Sequence, residues 1–152
     1  MTTVSAFMGE DHDELDGIFE SFTGRLEDDL EKAAALFQDF RVRLQKHIVW
    51  EEDILFPIFE EKTGMREGGP TAVMRMEHQQ IKQYLAQIQQ KLDAKQREGI
   101  DELKAGLVET LAAHNQKEEN ILYPAIDDVL NDQEREQVFT RMKEVPPEAY
   151  EG

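Results

Sequence analysis

The chain has 152 residues, 33 acidic against 17 basic for a formal net charge of −16, and no cysteine. That length suits one hydrophobic core and so a single domain over residues 1–152. The negative excess argues against nucleic acid or an anionic membrane as partner, and the missing cysteines exclude disulfides, thiolate metal sites and cysteine nucleophiles.

Apolar residues recur at steps of three and four, and no sustained alternation or Asn-Gly turn signals a strand. A first helix is expected near 5–27, with Met8, His12, Leu15, Phe19, Phe22 and Leu26 on one face. A second, near 29–62, presents Leu30, Ala33, Phe37, Phe40, Leu44, His47, Glu51, Ile54 and Ile58. KTGMREGGP (62–70) reads as a loop whose proline opens a third helix near 70–94, aligning Met74, His78, Ile81, Leu85, Ile88 and Leu92. A fourth, near 97–128, aligns Ile100, Leu103, Leu107, Leu111, His114, Glu118, Ile121 and Ala125. Pro57 and Pro124 are expected to kink or end their helices. A short helix runs from Asp132 to Lys143, and the tail VPPEAYEG is expected to be irregular. The pattern predicts an all-α, antiparallel up-down-up-down four-helix bundle with a short C-terminal helix. No apolar run approaches the roughly 20 residues of a membrane span. The N-terminus lacks a secretory pattern, so a cytoplasmic protein is expected.

The chain repeats itself. A shift of 66 lays the first helix on the third, Met8 on Met74 and His12 on His78. A shift of 67 lays HIVWEEDILFPIFEE (47–61) on HNQKEENILYPAIDD (114–128), with Phe56 opposite Tyr123. The domain therefore reads as two helical-hairpin repeats, about 5–62 and 70–128.

All four histidines take inward positions on four different helices, and His47 and His114 each carry a glutamate four residues on, on the same face. Burying Glu51 and Glu118 without partners costs several kcal/mol each, and no lysine or arginine shares their faces. A pair of shared cations removes that difficulty, because each hairpin supplies two imidazoles and a carboxylate. Glu52 and Glu119 come directly after. On a regular helix the residue at i+5 swings away, so Glu51 and Glu118 are assigned, and a π-bulge would bring the next residue in.

This series, His12, then His47 with Glu51, then His78, then His114 with Glu118, resembles the hemerythrin-like, or HHE cation-binding, family over about residues 5–128. The trailing Leu-Phe-Pro and Leu-Tyr-Pro reinforce the likeness. It implies a di-iron centre bridged by Glu51, Glu118 and an oxo or hydroxo group. His12 and His47 would hold one iron, His78 and His114 the other. Oxygen-carrying members use a fifth histidine where this chain has Met74, a soft thioether read here as lining the site. The remaining set resembles the di-iron domain of the repair-of-iron-centres proteins, without their cysteine-bearing N-terminal segment. Each iron would keep an open position suited to O2, NO or peroxide.

The expected function is therefore a non-haem di-iron protein that binds or reacts with such molecules, an oxidoreductase acting on NO or peroxide among the options. An electron donor or an iron acceptor protein is its expected partner. Iron storage, delivery or sensing stands second, and a structural zinc or manganese bundle third, since these ligands do not select iron alone. Trp50, Tyr84 and Tyr123 are read as packing aromatics rather than groups lining the metals. The pairs Asp28-Asp29, Glu60-Glu61 and Asp127-Asp128 are read as solvated helix ends. No Ser-His-Asp set, phosphate-cradling loop or nucleotide fingerprint is present.

Overall fold

The computed structural model describes residues 2–151, and among them helices are joined only by turns and short loops. Helix α1 spans Val4–Arg25 and α2 Leu30–Trp50. A π-helical turn, π1 (Glu51–Leu55), leads without a break into α3, Phe56–Thr63. After a loop come α4 (Pro70–Asp93) and α5 (Ile100–Lys117). A second π turn, π2 (Glu118–Leu122), runs into α6, Tyr123–Val129. Helix α7 covers Asp132–Glu144, and Pro147–Ala149 form a single 3₁₀ turn where an irregular tail was expected. Helix α1 packs along α2, α4 along α5, and α6 against α1. No helix among the described residues is long and apolar enough to cross a membrane.

The helix ends are set by their side chains. Thr3 caps α1 by accepting from the Ala6 N–H at 3.0 Å. The Asp127 carboxylate accepts from Val4 N–H and Ser5 N–H at 2.9 and 3.0 Å, so an anion satisfies the free donors of that first turn. Asp29 caps α2, and Asn131 with Glu134 forms a capping box on α7. Gly64, at φ 73°, closes α3 in the left-handed region that a side chain disfavours. The acidic pairs are thus not all solvated ends: Asp127 caps a distant helix. Glu60 is buried, accepting from the Thr71 hydroxyl at 2.7 Å and from Arg75 at 3.3 Å.

Pro57 and Pro124 neither end nor break the helical path. Each is the second residue after a π turn. A proline ring collides with the carbonyl four residues back in a regular helix, and the wider π turn just upstream relieves that collision. The inserted residue also advances the buried face by one position. Ile121, expected inside, is 62% exposed, while Leu122, Tyr123 and Ile126 are buried. In the first repeat Leu55 and Phe59 are buried, with Ile58 only partly so.

Two apolar clusters result. One gathers Val4, Met8, Trp50, Phe56, Met74, Leu122 and Ile126 with Val138 and Met142 of α7. The indole N–H of Trp50 donates to the Met142 carbonyl at 3.0 Å, the packing role expected of it. The other gathers Leu15, Phe22, Phe37, Phe40, Leu85, Ile88 and Leu107. The four histidines, Glu51 and Glu118 are buried yet belong to neither cluster.

Candidate metal centre

Each histidine is held at Nδ1 by a carboxylate and turns Nε2 inward. Nδ1 of His47 meets Asp11 at 2.7 Å and that of His114 meets Glu77 at 2.8 Å, both within a hairpin. Nδ1 of His78 meets Glu52 at 2.6 Å and that of His12 meets Glu119 at 2.9 Å, both between hairpins. Such carboxylates fix ring orientation and tautomer, and they raise the basicity of the nitrogen left for a metal. The π turns explain the last two contacts. A wider turn brings both glutamates of each pair to the site, Glu51 and Glu118 at its middle, Glu52 and Glu119 at its edge. The exception foreseen for a π-bulge is therefore the case in both repeats.

Glu51 and Glu118 are fully buried and each faces both histidine pairs. Glu51 Oε2 lies 3.6 Å from His47 Nε2, and Oε1 lies 3.0 Å from His78 Nε2. Glu118 Oε1 lies 3.3 Å from His12 Nε2, and Oε2 lies 3.2 Å from His114 Nε2. All six residues expected to bind metal are thus brought together, as one group of Glu51, His78, His114 and Glu118 and another of His12, His47 and Glu118. Ligating atoms in each group lie within 4.8 Å of one another.

This donor set fits cations. The ion-pair partners of Glu51 and Glu118 are all histidines, with no lysine or arginine among the described residues. Glu118 Oε2 is buried without a full hydrogen-bond partner, its nearest polar neighbour being His114 Nε2 at 3.2 Å. In the metal-free protein, protons stand in for the missing positive charge. Burial alone would lower His47, but the Glu51 charge and the Asp11 hydrogen bond push it up to about 10. His78 is likewise opposed by burial and raised by Glu51 and Glu52 to about 9. His114 is raised by Glu118 against its burial. Burial would raise Glu51, yet His47 and its hydrogen bonds hold it well below the ordinary carboxylate range.

One further residue reaches the centre. The Tyr123 hydroxyl donates toward Glu51 Oε2 at 2.6 Å and Glu118 Oε1 at 2.9 Å. It lies 3.2 Å from His47 Nε2 and 3.3 Å from His12 Nε2. Burial, then the two carboxylates, push its phenol well above the usual range, so in the metal-free protein it keeps its proton. The expectation that Tyr123 only packs is corrected: at i+5 from Glu118, the π turn carries it to the site. Asp11, Glu52, Glu77 and Glu119 were likewise not assigned as partners, although the repeat carries the signal. Asp11 and Glu77 precede His12 and His78 at the same shift of 66, and Glu52 and Glu119 match at 67. Met74 is buried one turn before His78, within the cluster around Trp50 and Phe56.

A cleft of about 840 Å³, floored by Phe19, Phe40 and Leu111 and rimmed by Asp16 and Glu20, borders the site through Glu119.

A family model described as the hemerythrin HHE cation binding domain matches residues 3–126. No significant match is found among curated proteins or among solved structures.

Proposed function

Since the chain belongs to the hemerythrin HHE cation-binding family, we propose that it holds two iron ions and binds or reacts with O2, NO or peroxide there. The observation that carries the dinuclear reading is the splitting of each buried carboxylate between two histidine pairs. His12 and His47 would hold one ion, His78 and His114 the other, and Glu51 and Glu118 would span both. The reading extends to the fold: α1, α2 to α3, α4, and α5 to α6 as an up-down-up-down bundle. The short connectors and the packing of α1 on α2 and α4 on α5 support it.

Two irons, when bound, would supply redox chemistry toward small oxidants and NO. The chain's own groups do the rest. Asp11, Glu52, Glu77 and Glu119 keep the four rings in register, so the donors are arranged before metal arrives. The flanking apolar clusters exclude bulk water, which strengthens every charge interaction inside. Imidazole and carboxylate suit ferrous and ferric ions alike, and Met74, in the place of a fifth histidine, adds no donor of that kind.

The test is elemental analysis of purified protein with an optical spectrum after air oxidation, with and without azide or NO. Near two irons per chain and a spectrum that shifts with azide are expected. Far less iron, with no filling or colour on adding ferrous ion, would sink the reading.

A further inference from the structure

The two histidine pairs are matched in imidazoles, shared carboxylates and Nδ1 partners, but not in the residue just after Glu-Glu-x-Ile-Leu. The second repeat has Tyr123 there, the first Phe56, and both are fully buried. All four groups near the Tyr123 oxygen face the His12–His47 side: Glu51 Oε2, Glu118 Oε1 and the Nε2 atoms of His12 and His47. Neither His78 nor His114 is among its partners. On the opposite side the Phe56 ring runs nearly parallel to that of His78, at 5.9 Å between centroids and 10° between planes, and brings no polar atom.

We propose that the two halves of the centre are chemically unequal. The Tyr123 oxygen is reserved to the His12–His47 half, and a small outside ligand takes its place in the His78–His114 half beside Phe56. This rests on the metal-binding reading above. The phenol oxygen sits among the four donors of its half, in the space an added ligand would need, and it is tied there by two carboxylates. Phe56 has the same shape without the oxygen, so the equivalent space in the other half has no resident donor.

Cobalt(II) is a suitable probe, because its visible spectrum reports each half without turnover. His114→Ala weakens the His78–His114 half and leaves the Tyr123 half; His12→Ala does the reverse. Adding Tyr123→Phe to His114→Ala is expected to shift the cobalt spectrum and change affinity by about tenfold or more, the scale of losing a group that supports a metal. The same change added to His12→Ala is expected to do less than about twofold. Azide should perturb the cobalt spectrum of the His12→Ala protein and not that of His114→Ala until Tyr123 is also replaced. Equal effects of Tyr123→Phe in both backgrounds, or none in either, overturn the proposal. So does azide binding equally to both single variants, an arm that leaves Tyr123 intact should its replacement fail to fold. If the single variants take up no cobalt, one azide per wild-type pair is expected and two overturn it. A wild-type protein that takes up no metal at all defeats the parent reading instead.

Discussion

The His12–His47 and His78–His114 halves have matching donors, yet they differ at their edges in two ways. The first holds a phenol where the second holds a phenyl ring. It also leans on Glu119, whose side chain is 46% exposed, where the second leans on Glu52, 22% exposed. A duplicated sequence therefore fixes the common chemistry of both halves, while small departures from the repeat decide how they diverge.

The largest expected effect removes what the halves share. Glu118→Ala deletes a carboxylate that faces both pairs, and less than roughly half of the wild-type metal should remain by elemental analysis. Metal retained at wild-type affinity in either half would break the shared-carboxylate picture. Next come the halves one at a time. His47→Ala and His114→Ala should each lower metal content by roughly one ion in two, since a lost imidazole leaves its side a donor short. Unchanged iron content and spectrum in both variants refutes the assignment.

Smaller effects sharpen the comparison. Asp11→Asn and Glu77→Gln keep shape but lose the charge on Nδ1, and each should weaken metal binding about 10–100-fold in a competition titration. The same pairing across hairpins should be unequal. Glu52→Gln is expected to cost more than Glu119→Gln, because solvent already weakens the more exposed contact. A larger loss from Glu119→Gln would contradict the ranking.

A last effect, read on a different scale, is on the metal-free protein and comes from protons alone. His47 and His78 keep theirs to about 10 and about 9 in the fold, against 6.5 for an ordinary ring. Their stabilisation is fully present below that ordinary value and fades as pH rises through 9 and 10. Glu51, held below its ordinary 4.5, stabilises above that pH and loses its effect on acidification. In chelator the thermal midpoint should peak at mildly acid pH and fall toward pH 10. A midpoint climbing steadily from pH 6 to 10 would rule this out.

Much of this was legible in the sequence because it depends on local periodicity. The spacing of His12, His47, His78 and His114 within apolar stripes located the helices and the six central residues. Tyr123, Glu52 and Glu119 share one cause. A π turn adds a residue without any break in the pattern of residue types, so the face expected to carry Ile121 and Ala125 is carried instead by Leu122, Tyr123 and Ile126. The same shift concealed the tyrosine and left Glu52 and Glu119 apparently facing away. Asp127 was misread for a different reason: its partners, the first amides of α1, lie more than 120 residues away in the chain. Periodicity holds no information about a contact of that range.

The crossing of Glu119 to His12 and of Glu52 to His78 makes each hairpin complete the other in the same manner. That is the form of an isologous contact, the kind by which two identical subunits meet about a two-fold axis. In a true pair of identical subunits, every residue at the seam would have to occur twice. Joining both copies in one chain lifts that requirement, and it is what allows an oxygen at position 123 to face a centre whose other side, at position 56, has none.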